Sequence, residues 1–221
     1  MKKSNQPKPT NTPQNMPLTD QSLVYLRNAI RTGKISPGQE IDFAALAKEL
    51  GMSRTPIRES IRELLTEGLL ELLPGGTVCV TQLSAEDAAG FYDVLCELEI
   101  NAVRAAAVHI SELEIEMLRT NLSLFDNART DPEKLSQIDS QFHNVIYDAC
   151  NNDYLSQTLS RLRIRIGLLK VRPFDESVRI NEAYNEHLAI FKALESHDPD
   201  LAEKVIAKHI TKARKYRLSR L

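Results

Sequence analysis

From Ser84 onward the chain carries one helix-start signal after another and no strand-like run, so everything beyond that residue is expected to be helical. Ser84 can cap a helix reaching about Val108. Ser111 with Glu114 forms a capping box for the next helix. Asp131-Pro132 opens a third and Asp153 a fourth, which Pro173 should close. A fifth runs from about Ser177 to His197, and Asp198-Pro199 opens the sixth. Short links between such helices bury their apolar faces against one another most simply as an antiparallel bundle of six helices.

The residues before Ser84 are patterned differently. Leu23, Leu26 and Ile30 mark one face of a helix that begins near Leu18 and stops before Gly33. A second helix fits Asp42 to Leu50, with Asp42 as N-cap and Gly51 after the end. A third is expected from Pro56 to about Glu67, with Thr55 as its N-cap, because proline suits a first helical position. LLELLPGGTVCV then reads as two short strands around Pro74, Gly75 and Gly76. Three helices and a β-hairpin make a winged helix-turn-helix. The fold class is therefore mainly α: residues 18–82 form the winged helix and residues 83–221 the all-helical part. Residues 1–17 hold four of the ten prolines among Asn, Gln, Lys and Thr, a composition that favours a disordered tail.

Composition narrows the function. A net charge of -2 argues against nonspecific coating of nucleic acid, which needs a basic excess. No apolar run approaches the ~20 residues that span a bilayer, and the N-terminal stretch lacks the apolar segment of a secretory signal, so a cytoplasmic location without membrane contact is expected. Cys79, Cys96 and Cys150 lack a metal-type spacing and are expected to be free thiols.

In SRTPIRESIRELLTEGLL, Ile57, Ile61, Leu64 and Leu65 form an inward stripe, while Arg54, Arg58 and Arg62 lie on successive turns. Arginine reads guanine edges bidentately, and Ser53 and Thr55 at the helix start reach phosphates or bases. The alternative is a solvated surface helix whose arginines pair with Glu59 and Glu63. The stretch from Gly33 to Gly76, with LAKELGMSRTPIRESIRELLTEGLLELLPGG at its centre, resembles the DNA-binding domain of GntR-type regulators. That resemblance implies that Ser53, Arg54, Thr55 and Arg58 meet double-stranded operator DNA in the major groove, with Gly75 at the wing tip by the minor groove. The chain departs from the pattern at Ala44, where an arginine is usual, and at a wing tip without basic residues.

In the helical part, Asp139 and His143 share one helix face, and His187 and His209 each sit within an apolar stripe. Single histidines on such stripes are usually hydrogen-bonded core residues. Three helices aiming Asp139, His143, His187 and His209 inward equally suit a divalent metal ion such as Zn²⁺, Ni²⁺ or Mn²⁺. The stretches DSQFHNVIYDACNNDYL, EHLAIFKALESHDP and AKHI resemble the FCD effector domain of the FadR branch of that family. The resemblance implies that those four residues ligate metal in an effector pocket, and that the effector is a small carboxylate. Where relatives carry an arginine before Leu98-Glu99, this chain has Cys96; Arg104, Arg161 and Arg165 are the candidates to replace it. A basic run from Lys212 to Arg220 is either a solvated helix end or a contact to DNA backbone. One recognition helix reads too few bases for useful specificity, so a homodimer on a palindromic operator is expected; that the effector relieves repression is what the resemblance to the family implies. The competing functions are a helical domain that only dimerises and a metal-dependent enzyme fused to a DNA-binding module.

Overall fold

The computed structural model describes residues 16–169 and 171–221, so most of the tail expected over 1–17 lies outside the described residues. Helix α1 spans Leu18–Arg31, α2 Phe43–Leu50 and α3 Arg54–Thr66. Strands β1, Leu70–Leu72, and β2, Val78–Val80, pair antiparallel with Leu70 opposite Val80. Gly75 and Gly76 take φ of 96° and 87° in the turn between them, a conformation open to glycine. The backbone of Gln39 and Ile41 adds to the outer side of β2, through Val80 N–H to Gln39 O at 3.0 Å and Ile41 N–H to Val78 O at 2.8 Å.

Asp42 caps α2 as its sequence predicts, accepting from the Ala44 and Ala45 N–H groups at 2.8 and 3.0 Å. Gly51 ends that helix at φ 65°. Helix α3 starts two residues earlier than expected, with Ser53 rather than Thr55 in the N-cap position. Proline is tolerated throughout the first turn, where no N–H has an intrahelical acceptor, so Pro56 does not mark the first residue. Leu26, Ile30, Ile57, Leu64 and Val80 are fully buried in a core shared by α1, α2, α3 and the hairpin.

The helical part comprises α4 Ala85–His109, α5 Glu112–Asn127, α6 Pro132–Ala149, α7 Asp153–Ile164, α8 Ser177–Glu195 and α9 Pro199–Leu218. Ser84 with Asp87, and Ser111 with Glu114, close full capping boxes. Helix α4 is central, packing on α9, α6, α7 and α8. Helix α7 does not run on to Pro173. It tightens into a 3-10 turn over Arg165–Leu168, and Pro173–Asp175 forms a second.

The reason is close packing between the two parts. A Cβ on Gly167 would lie 2.6 Å from Arg31 Cα and would overlap the Ile30 carbonyl oxygen, so only glycine lets the end of α1 approach here. Leu168 is fully buried and belongs to the winged-helix core. Around it Arg165 donates to the Glu67 carbonyl at 2.7 Å, Arg172 donates to the Gly33 carbonyl, and Arg31 donates to the Ser136 carbonyl at 2.8 Å and to Ser140. Gly167→Ala should therefore force these backbones apart and cost about 1–3 kcal/mol, read as a lower urea midpoint in equilibrium unfolding.

Candidate DNA interface and histidine centre

On α3, Ile57, Ile61 and Leu64 are buried, while Ser53, Arg54, Thr55, Arg58 and Arg62 are exposed. The acids that were candidates to neutralise these arginines are engaged by α1 instead. Arg27 pairs with Glu63 at 3.0 Å and with Glu67, and Thr19 donates to Glu59 at 2.8 Å. Among the described residues Arg54, Arg58 and Arg62 form no ion pair, so their guanidiniums stand free at one outer face. Gly75 is exposed at the hairpin tip. Three charges of the basic C-terminal run are paired within the bundle, Lys212 with Glu186 at 3.3 Å, Arg214 with Asp93 and Arg220 with Glu176 at 3.1 Å, while Lys215 is exposed. Those three charges do not form a free DNA-facing patch.

Inside the bundle, α6, α8 and α9 bring His143, His187 and His209 together, with one ligand-capable ring nitrogen of each lying within 4.8 Å of the others. His143 and His187 are fully buried and His209 nearly so. Asp139 stands beside them, one turn before His143 on α6, with Oδ1 3.3 Å from His187 Nε2. That approach lacks hydrogen-bond alignment, and both His187 ring nitrogens and His143 Nε2 are buried without a hydrogen-bond partner. Orphaned nitrogens at full burial are costly, and a shared cation removes the penalty.

The outward nitrogens are held by carboxylates. Glu99 of α4 faces His143 Nδ1 at 3.2 Å, and Glu186 of α8 faces His209 Nδ1 at 2.8 Å. Each carboxylate is locked in turn. Arg163 of α7 donates to Glu99 at 2.9 Å and to Asp139 at 2.8 Å, and Tyr147 also donates to Glu99. Arg179 grips Glu186 through two bonds of 3.0 Å. A carboxylate behind each of two histidines fixes the tautomer and leaves Nε2 facing inward, as metal-binding imidazoles require.

Charge states suit the same role. Burial favours the neutral acid at Glu99, but His143 and Arg163 outweigh it and hold the pKa at about 2. Glu186 is likewise held at about 2, burial being overcome by His209 and Arg179. Burial lowers His187 to about 4 despite the opposing pull of Asp139, and burial with the Arg163 charge lowers His143. Neutral imidazoles and ionised carboxylates are the forms that bind divalent cations, so the residues present fit one.

Of the arginines proposed to replace the missing one, none reaches this centre. Arg104 is half-buried and pairs with Asp200 at 2.9 Å and with Glu203; Arg161 is exposed; Arg165 turns to the Glu67 carbonyl. Cys96 is half-buried beside the main core, and Tyr92 and Leu95 are the residues of α4 that line the cavity of about 40 Å³ beside His209. The sequence reading missed Glu99, Arg163, Glu186 and Arg179. Glu186 adjoins His187 in sequence, which sets it on another face of α8. The side chain does face away from the inner nitrogens, and it supports His209 from behind. A signal was present: Leu95, Glu99, Ala102 and Ala106 follow helical spacing, which places a carboxylate in a buried stripe.

A winged helix with free arginines on its third helix, joined to a helical bundle around a buried histidine centre, defines a DNA-binding regulator with a sensing domain. Residues 20–80 match the gntR family of bacterial regulatory proteins, and residues 91–212, more than half of the chain, match the FCD domain. The chain belongs to the GntR family of transcription regulators, in the branch carrying an FCD domain, and it is not an enzyme. It is 27% identical over 187 residues to the HTH-type transcriptional regulator YdhC of Bacillus subtilis, covering 83% of this chain and 84% of that one. It is 24% identical over 196 residues to the HTH-type transcriptional repressor RspR of Escherichia coli, covering 88% and 86%. Among solved structures, E. coli McbR/YncC superposes with a TM-score of 0.86 at 22% identity over 92% of this chain and 98% of that one, a likeness of fold. No helix among the described residues is long and apolar enough to cross a membrane.

The depressed His187 pKa has a testable consequence. The unfolded chain takes up a proton near the ordinary 6.5, whereas the folded, metal-free chain resists it down to about 4. Stability contributed by the neutral ring is thus present above pH 6.5 and lost as pH falls toward 4, by roughly 2 kcal/mol between pH 7 and pH 5. Urea unfolding in chelator across that range should show the loss, with a visibly shallower pH dependence in His187→Gln.

Proposed function

We propose that this chain is a homodimeric, metal-dependent repressor that releases a palindromic operator when a small carboxylate enters the bundle. The single observation that carries the sensing half is the set of buried, unpartnered imidazole nitrogens on His143 and His187 beside Asp139 and His209. In this reading His143, His187, His209 and Asp139 hold Zn²⁺, Ni²⁺ or Mn²⁺. Such an ion supplies open coordination positions for an oxygen donor. Glu99 and Glu186 orient His143 and His209. Arg163 holds Asp139, and the cavity lined by Tyr92, Leu95, Arg163 and Arg179 admits the ligand.

The DNA half rests on Ser53, Arg54, Thr55 and Arg58 reading the major groove, with Gly75 placed for backbone contact. Ala44 offers no charge to the phosphates, so binding leans on the α3 arginines and its salt dependence is modest for a winged helix. Repression is favoured because RspR, and a relative named as a probable D-xylose utilization operon repressor, carry that sign in their names. Two copies are required to read enough bases. An apolar stripe on α5, with Leu113 72%, Met117 49% and Leu124 42% exposed, supports the dimer reading.

Three measurements test the proposal. The purified chain should retard DNA from upstream of its own gene, and Arg58→Ala should weaken that binding about tenfold or more, the equivalent of ~1–3 kcal/mol for a base contact; failure to bind any such fragment sinks the reading. Elemental analysis should find close to one metal ion per chain, reduced severely in His187→Ala. Met117→Glu should shift the chain from dimer to monomer in light scattering.

A further inference from the structure

Where α1 meets the bundle, three guanidiniums converge on one small cavity of about 30 Å³: Arg31 from α1, Arg163 from α7 and Arg217 from α9. Ser136, Ser140 and Asp139 complete the polar part of its wall. Arg217 is 9% exposed and donates to the Val171 carbonyl at 2.9 Å, with no carboxylate partner among the described residues. Arg31 likewise satisfies itself on the Ser136 carbonyl, Ser140 and Asn28, and on no described carboxylate. Only Arg163 is paired, and it holds Asp139 and Glu99 together. The junction therefore gathers three positive charges, with Arg163 and Arg217 buried and Arg31 half-buried, against the two negative ones of Asp139 and Glu99. An uncompensated charge out of water is expensive, and natural structures retain one mostly where an anion completes it.

The space has the shape for one. About 30 Å³ holds roughly two or three water-sized groups, the size of a carboxylate head. Arg31 and Arg217 also line a cleft of about 320 Å³ between the winged helix and the bundle, open enough for the rest of a small molecule. Arg163 and Arg217 line the cavity beside His209 as well, so the junction adjoins the histidine centre.

We infer that this junction is an anion site, in which Arg31, Arg163 and Arg217 grip the carboxylate of a small organic acid and Ser140 donates to it. The inference deepens the sensing role proposed above, and rests on it for its regulatory meaning. Because Arg31 belongs to the DNA-binding part and the other two to the bundle, the ligand ties the two together directly. Its binding energy then differs between docked and undocked arrangements of the winged helix, which is what a change in operator affinity requires.

The test uses the full chain with acetate and succinate as probes, each against sodium chloride at matched ionic strength, reading the thermal midpoint as a function of ligand concentration. At least one acid should raise the midpoint progressively. Arg31→Gln should weaken the apparent affinity tenfold or more, and Arg217→Gln should do the same. Arg104→Gln, on α4 outside the junction and paired there with Asp200 and Glu203, should leave the response unchanged. Should Arg217→Gln fail to fold, Arg217→Lys, which keeps the charge and loses the planar fork, should show an intermediate loss. An unchanged response in Arg31→Gln overturns the site. So does the absence of any response beyond the chloride control. A response lost in His187→Ala but kept in Arg31→Gln overturns the junction site while leaving the histidine pocket standing.

Discussion

The paired charges around Arg163 set the geometry of the bundle. A guanidinium 7% exposed is held by a carboxylate, Glu99, that is wholly buried, and by Asp139. Removing either acid strands charge in a low-dielectric interior, at a cost of several kcal/mol. The arrangement therefore fixes the relative register of α4, α6 and α7, on which Glu99, Asp139 and Arg163 stand. The histidine centre inherits that register. Glu99 aims His143 inward while Arg163 steers Asp139, so the candidate ligands are positioned by residues that stand behind them.

Electrostatics at the other end of the molecule follow a complementary rule. Helix α3 carries Glu59 and Glu63, with Glu67 at its C-cap, beside its three arginines, and on its own would be nearly neutral to DNA. Helix α1 changes that, because Arg27 occupies Glu63 and Glu67 and Thr19 occupies Glu59. The acids are drawn to the α1 side, and Arg54, Arg58 and Arg62 are left to face outward. Specific binding from a chain of net charge -2 is then a matter of where charge is placed.

Much of this was legible in the sequence, for identifiable reasons. Caps and glycines are local devices, so Asp42, Gly51, Ser84 and Ser111 announced their helices nearly to the residue. Apolar periodicity placed His143, His187 and His209 inward. What a single helix cannot reveal is which buried group lies behind another. Glu99 is 44 positions from His143, and Arg163 is 64 from Glu99. Their meeting depends on how helices pack, and the sequence could offer Arg104, Arg161 and Arg165 only as candidates beside the reading of them as solvated surface arginines. The early end of α7 was hidden for the same reason: the constraint on Gly167 comes from Ile30 and Arg31, which lie far away along the chain.

The contact at Gly167 also limits how the two halves can move. Side chains pressed together can yield by changing rotamer, but here main chain meets main chain, and neither has a softer coordinate to give. Sliding and compression are both resisted, which leaves rocking about the contact as the cheap motion. The 3-10 turn of Arg165–Leu168 thus serves as a fulcrum beneath the end of α1. Arg31, which reaches Ser136 and Ser140, lies beside that contact, whereas the Arg54 end of α3 stands a helix length from the Glu67 carbonyl that Arg165 holds.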